Sequence, residues 1–142
     1  MPSSIFCTFQ VDQLFLGVDV LQVQEVLKAQ QMTPVPLAEN EVRGLMNLRG
    51  QIVAAFDLRR RLGFVDRQDG VPAMNVVVRT PDGPVSLLVD EIGDVLELDT
   101  EKFEPAPETL QGLPRELIRG AYKLESRLLM VLDTTKTLGA SA

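Results

Sequence analysis

The chain has 142 residues, of which 45% are hydrophobic and 24% are charged, and its formal net charge is −6. This balance is typical of a globular domain, and the excess of acid argues against a nucleic-acid partner. Histidine and tryptophan are absent and Cys7 is the one cysteine, which excludes a His-based triad, the common structural zinc sites and an intramolecular disulfide.

The first half predicts short strands and one terminal helical turn. The first strand is predicted from apolar residues that alternate with polar ones: Ile5, Cys7, Phe9 and Val11. An Asp12-Gln13 turn leads to "LFLGV" (14–18), and Asp19 can cap a helical turn. Further strands are predicted at "EVLKAQQM" (25–32) and "QIVAAF" (51–56). Asp57 is then expected to cap the short helix "LRRRLG", with "RRR" (59–61) on its polar face.

The second half, after a loop at about 65–72, predicts two hairpins with a strand between them. "AMNVVVRT" and "PVSLLVD" are joined by a Pro81-Asp82-Gly83 turn, and "DVLEL" (94–98) follows. "EPAPETLQGLP" predicts a loop, and "ELIRGAYKL" with "RLLMVLD" predicts the last hairpin. "TTKTLG", after Asp133, predicts a closing helix.

The two halves resemble each other. Residues 42–63 align without gaps over residues 118–139, so that Gly44 meets Gly120 and Asp57 meets Asp133. Earlier in each half, "LGVD" (16–19) matches "LLVD" (87–90), and "EVL" (25–27) matches "DVL" (94–96). Such self-similarity predicts two copies of one unit. Short strands without long helices favour small barrels, with the first repeat at about 5–64 and the second at about 73–139.

"VRGLMNLRGQIVAAFDLRRRLGF" (42–64) resembles the signature of the bacterial chemotaxis coupling proteins, the CheW-like family. "FLGVDVLQVQEVL", "TPVP", "LLVDEIGDVLEL", "FEPAPETL" and "IRGAYKLESRLLMVLD" occur in the family's order, so the resemblance covers about residues 5–139. It implies one CheW-like domain over 1–142, mostly β, made of two five-stranded SH3-like barrels with pseudo-twofold symmetry. It also implies no enzymatic activity, no catalytic residue, no metal and no cofactor.

The resemblance implies two partners: the cytoplasmic tip of a methyl-accepting chemoreceptor, and the regulatory domain of a chemotaxis histidine kinase. The receptor is expected in a groove between the barrels, because a helical hairpin can lay an apolar ridge between aliphatic walls. The expected groove residues are Val23, Gly44, Leu45, Asn47, Ile92 and Val95. Gly44 is expected to let the partner approach closely.

The kinase is expected at one end of the first barrel, near Glu25, Val26 and Arg49. Arg49 can pair with Glu25, since its planar fork suits a carboxylate, and both a scaffold role and an interface role stay open. A second kinase contact is expected around Pro107 and Thr109, with a plain Pro-stiffened connector as the alternative.

The residues also raise two other hypotheses, an enzyme and a nucleic-acid-binding barrel. Asp57, or Asp90 with Glu91, could serve an enzyme, but no acidic pair follows the first strand to hold Mg²⁺. A small barrel that binds single-stranded nucleic acid needs a basic groove with stacking aromatics, whereas aromatics are 5% of this chain. No signal peptide and no apolar run of ~20 residues is present. We therefore expect a cytoplasmic protein at membrane receptor arrays, without membrane insertion, that serves flagellar, pilus or other output.

Overall fold

A computed structural model describes the chain at residues 2–36 and 39–139. The ten strands of these residues are β1 (Ser3–Val11), β2 (Leu14–Asp19), β3 (Val23–Leu27), β4 (Val42–Leu48), β5 (Gln51–Asp57), β6 (Met74–Thr80), β7 (Gly83–Val89), β8 (Glu91–Asp99), β9 (Ile118–Lys123) and β10 (Leu128–Leu132). Its short α-helices are α1 (Leu58–Arg61), α2 (Leu113–Leu117) and α3 (Thr134–Gly139), and 3-10 turns lie at Val20–Gln22 and Thr100–Lys102.

The strands form two five-stranded sheets that exchange elements between the sequence repeats. The first sheet has the order β8-β1-β2-β10-β9, and the second has the order β3-β6-β7-β5-β4. Each sheet therefore takes two strands from one half of the chain and three from the other. Each also contains one parallel pair, β2 with β10 and β7 with β5, at equivalent places. The repeat is thus preserved as a pseudo-twofold relation between the sheets.

Each sheet closes into a barrel through a bridge outside its named strands. The segment after β3 turns back so that Thr33 exchanges two 2.8 Å backbone hydrogen bonds with Leu45 of β4. The segment after β8 does the same in the first sheet, where Glu104 pairs with Ala121 of β9 at 2.8 and 2.9 Å. The mostly β fold of two five-stranded barrels is thus confirmed.

Most of the buried apolar side chains lie between the barrels. Phe9 and Leu16 of the first sheet pack with Val76 and Leu87 of the second, and Leu58 of α1 joins them. Each barrel also has a smaller core of its own. The first contains Phe6, Phe15, Tyr122, Leu129 and Val131, and the second contains Met46, Leu48, Val53 and Val77. Because the shared core is the largest, burial of apolar surface ties the two barrels together.

Three expectations from the sequence differ from the structure. The barrels do not coincide with residues 5–64 and 73–139, because β1 and β2 pair with β8 and β10 of the other half. Glu25, Val26 and Arg49, expected on the first barrel, therefore lie on the barrel of the second sheet, which is the second barrel. The strand expected at 25–32 ends at Leu27, where the chain turns away to reach Thr33. The last hairpin begins at Ile118, because Gly112 at φ 74° and a proline in the first turn start α2 ahead of it.

Candidate functional site

The β4–β5 turn is held in a left-handed conformation by its own side chains. Arg49 has φ 52° and Gly50 has φ 85°, as a two-residue hairpin turn of type I′ requires. Asn47 Oδ1 accepts a 2.8 Å hydrogen bond from the Gly50 amide. Asn47 and Gly50 therefore shape the turn, whereas Arg49 carries the strain of a positive φ, which is unusual for a residue with a side chain.

Arg49 reaches across the mouth of the second barrel to β3. Its guanidinium forms an ion pair with Glu25, whose side chain is 20% exposed, while 67% of the Arg49 side chain faces solvent. The expected pair is therefore present, and Arg49 keeps donors available to a partner. The strand and the hairpin joined by this ion pair also expose two apolar side chains. Val26 of β3 is 39% exposed, and Ile52 of β5 is 61% exposed. Ile52 pairs across the hairpin with Asn47 and was not singled out from the sequence.

Gly44 is required by the chain itself. It is buried, and a Cβ on it would lie 2.7 Å from the Thr33 carbonyl oxygen that closes the barrel. Gly120, its repeat equivalent, is similar, since a Cβ there would lie 2.5 Å from the Glu104 carbonyl oxygen. The close approach expected at Gly44 is therefore made by the backbone of Thr33. Glycine is required at this position because the barrel closes here. Leu45, which pairs with Thr33, is half-buried.

Val23 and Ile92 occupy equivalent places at the rim of the shared core. Val23 begins β3 and Ile92 lies in β8, and both are half-buried against the central apolar cluster. Further along β8, Val95 is 60% exposed and pairs with Cys7, and Ile5 on the same face of β1 is 41% exposed. The outer face of β1 and β8 is therefore buried in the shared core at one end and exposed at the other. The exposed end is an apolar strip formed by Ile5, Cys7 and Val95. Its signal in the sequence is the alternation in "SIFCTF".

The loop that carries Pro107 and Thr109 is fixed at one end. Arg115 of α2 donates to the Pro107 carbonyl at 2.7 Å and to the Leu110 carbonyl at 3.1 Å. Pro107 is half-buried and Thr109 is exposed. This loop belongs to the first barrel, because Glu104 at its start pairs with β9. It therefore lies on the other barrel from Glu25 and Arg49.

The arginines of "RRR" do not share one polar face. Arg59 is 14% exposed at its side chain and binds Asp90 through Nε and Nη2 at 2.9 and 2.8 Å. Arg60 pairs with Asp66, and Arg61 donates to the Thr137 carbonyl of α3 at 2.9 Å. The expected polar face is therefore wrong for Arg59, which joins α1 to the end of β7.

The Asp90 carboxylate is stabilised in its charged form. Burial by itself raises the pKa of Asp90, but the hydrogen bond from Arg59, the 2.7 Å bond from the Asp12 amide and the charge of Arg67 outweigh it, so the pKa lies below its usual range. Arg67 Nε lies 2.9 Å from Asp90 Oδ1 in a charge contact outside hydrogen-bond geometry. These charges fasten the 64–72 loop to the barrels.

Asp57, one of the acids that could serve an enzyme, has structural partners. Asp57 is fully buried, caps α1 by accepting from the Arg59 amide at 3.0 Å, and lies 3.4 Å from Arg67. Its expected helix-capping role is confirmed.

Burial raises the pKa of the Cys7 thiol, and the charge of Asp19 raises it further. Within residues 2–36 and 39–139, no group of three His, Cys, Asp or Glu side chains could hold a metal ion, and no helix is long and apolar enough to cross a bilayer.

Comparison with known proteins agrees with this geometry. The model of the CheW-like domain family matches residues 6–142. The chain is 32% identical over 139 residues to the chemotaxis protein CheW of Klebsiella aerogenes, covering 95% of this chain and 81% of that one. It is 32% identical over 130 residues to CheW of Bacillus subtilis, covering 92% and 83%. Protein FrzA of Myxococcus xanthus is 38% identical over 106 residues, covering 75% and 66%.

A solved structure has the same architecture. The crystal structure of the scaffolding protein TtCheW from Thermoanaerobacter tengcongensis superposes with a TM-score of 0.81 at 25% identity, over 93% of this chain and 89% of that one. Two closed five-stranded barrels with a shared core place the chain in the class of small β-barrel proteins. Within that class, the chain belongs to the CheW-like domain family.

Proposed function

We propose that this protein is a non-enzymatic adaptor that couples chemoreceptors to a chemotaxis histidine kinase. The observation that carries the proposal is the exposed apolar strip at the rim of the inter-barrel core, in a chain that belongs to the CheW-like family. An adaptor needs two separate surfaces, and the strip and the ion-paired turn are carried by different barrels. Asp57, an acid that could have served an enzyme, instead caps α1 and lies in an ion pair with Arg67.

The receptor surface is proposed along the rim of the shared core. Val23 and Ile92 form its half-buried walls, and Val95 with Ile5 extends it into solvent. An amphipathic helical hairpin suits such a surface, because its apolar ridge can lie along the aliphatic side chains. Leu45 and Asn47 remain candidate contacts on β4, while Gly44 contributes by keeping β4 in place.

The kinase surface is proposed at the mouth of the second barrel. Glu25 positions the Arg49 guanidinium, and Val26 of β3 and Ile52 of β5 are exposed apolar side chains on the same barrel. Arginine is enriched among the residues that contribute most to binding at protein interfaces. The Pro107–Thr109 loop on the first barrel is proposed as a second, smaller kinase contact, so that each adaptor can touch two kinase domains.

The place of action follows from these partners. Chemoreceptors are membrane proteins, so the adaptor is proposed to act in the cytoplasm at their arrays through its partners. A flagellar output, a pilus-based output and an output of another kind are alternatives within the same function. The chain is similar to FrzA as well as to CheW proteins, and all three outputs are retained.

The test is co-sedimentation of the chain with receptor cytoplasmic fragments, with and without kinase, while kinase activity is followed. Val95→Lys places a charge in the apolar strip, so we expect receptor co-sedimentation and receptor control of the kinase to be lost while kinase binding persists. Val65→Lys is the matched control, because Val65 is 78% exposed and lies on the 64–72 loop. Equal receptor binding by both variants would exclude the strip as the receptor surface.

A further inference from the structure

In the second barrel, two arginines fill the space beside α1. Arg59 binds Asp90 and lies 3.3 Å from Asp12 in the β1–β2 turn. Arg67, from the 64–72 loop, lies 2.9 Å from Asp90 and 3.4 Å from Asp57, and its side chain is 9% exposed. The chain therefore supplies cations from its own helix and loop to neutralise the acids at this place.

The first barrel has the equivalent acids without those cations. The repeat alignment gives these equivalents: Asp57 corresponds to Asp133, Asp90 to Asp19, Arg43 to Arg119 and Arg59 to Thr135. In the described part of the chain, neither Asp19 nor Asp133 takes part in an ion pair. Each accepts a backbone N–H at 2.9 Å instead, Asp19 from Leu21 and Asp133 from Lys136.

A cavity lies at the place that corresponds to the Arg67 position. It has a volume of about 200 Å³, and Asp19 and Arg119 line it together with Leu132, the neighbour of Asp133. Its aromatic lining consists of Phe6, Phe103 and Tyr122. Aromatic faces attract a guanidinium group, and carboxylates bind it through paired hydrogen bonds. The lining is thus suited to an arginine side chain.

A second cavity lies at the place that corresponds to Arg59. It has a volume of about 440 Å³ and lies between α3 and the β6–β7 turn, where Thr135 and Asp82 line it. The carboxylate of Asp82 makes no ion pair with any described residue. Arg79 also lines this cavity, but it donates to the Leu21 and Val23 carbonyls at 3.3 and 2.7 Å.

The two cavities adjoin. Gln22 lines both cavities. Of the two neighbours of Asp133 in the chain, Leu132 lines the first cavity and Thr134 lines the second. Among the described residues, Asp19 and Asp133 therefore meet fewer cations than their counterparts Asp90 and Asp57, and Asp82 lies without an ion pair at the adjoining turn. We propose that this surface, defined by Asp19, Asp82 and Asp133, binds an arginine-bearing segment of a partner protein, placed as the 64–72 loop is placed beside Asp57 and Asp90. The proposal is independent of the receptor and kinase surfaces.

The experiment is a titration of the isotopically labelled full chain with a capped peptide, followed by amide chemical shifts. The peptide has the sequence of residues 64–71 with both aspartates replaced by asparagine, so that Arg67 is its single charge. The matched peptide carries citrulline, which is neutral and nearly isosteric, at that position. We expect the arginine peptide at millimolar concentration to shift amides that line the two cavities, and the citrulline peptide to leave them unchanged.

Two protein variants test the acids. Asp19→Asn with Asp133→Asn removes two charges but keeps both caps, because asparagine caps helices as well as aspartate. We expect it to weaken peptide binding about tenfold, equivalent to about 1.4 kcal/mol. Asp69→Asn with Glu39→Gln makes the same change in net charge at exposed acids that line neither cavity and is expected to bind as the unchanged chain does. Absence of shifts at these cavities, equal binding of the two peptides, or equal weakening by both variants would overturn the proposal.

Discussion

A substitution of Arg49 can separate the scaffold role of the β4–β5 turn from its interface role. The two roles predict changes of different size in the free energies of unfolding and of kinase binding. Its side chain is 67% exposed, and an exposed ion pair contributes ~0–1 kcal/mol, against ~3–5 kcal/mol for breaking a buried one. Arg49→Ala is therefore expected to lower the free energy of unfolding by at most about 1 kcal/mol, or about 4 °C in Tm. If the guanidinium contacts the kinase, affinity should fall at least about tenfold, which is about 1.4 kcal/mol.

Arg49→Gly makes the comparison sharper. Glycine adopts φ 52° freely, so this variant removes about 1 kcal/mol of left-handed strain while it also removes the guanidinium. We expect Arg49→Gly to be at least as stable as Arg49→Ala and to bind kinase equally poorly. Thermal unfolding and calorimetric titration with the kinase regulatory domain measure both quantities. A loss of about 3 kcal/mol or more in both variants, or unchanged kinase affinity, would refute the reasoning.

Two other changes have calculable consequences. Gly44→Ala places a Cβ 2.7 Å from the Thr33 carbonyl oxygen, so we expect a loss of about 1–3 kcal/mol from the closing bridge. Hydrogen exchange at Leu45 should accelerate, whereas unchanged exchange would contradict barrel closure as the reason for the glycine. The lowered pKa of Asp90 means that its ion pairs stabilise the fold above the ordinary carboxyl pKa of 3.8 and that this contribution is lost as pH falls through the folded value. The stability difference between the unchanged chain and Asp90→Asn should therefore be full at neutral pH and shrink below about pH 4, and a constant difference would show that the charge is not responsible.

The sequence predicts local structure well where a local cause operates. Asp57 caps its helix as expected, because capping depends on neighbouring residues alone. The Arg49–Glu25 pair and the repeat itself were also predictable. The exchange of strands between barrels was not, because strand pairing across halves leaves no mark on the periodicity of each strand.

The site shows the same division. Val23, Ile92 and Val95 were expected in a groove between the barrels; Val23 and Ile92 lie half-buried against the shared core, and Val95 is 60% exposed on the apolar strip. Gly44 was expected to let a partner approach closely. The sequence does not show that Thr33, from another segment of the same chain, packs against this glycine. Ile52 and the Arg59–Asp90–Arg67 contacts were missed, since alternation alone does not show which apolar or charged side chains stay exposed.

Simultaneous binding is the measurement that tests the adaptor most directly. Analytical ultracentrifugation of the chain with a receptor cytoplasmic fragment and the kinase regulatory domain follows both partners at once. Because the apolar strip and the Arg49 turn are on different barrels, we expect a ternary species that contains all three proteins. Displacement of the receptor fragment by the kinase domain, with no ternary species, would contradict the account.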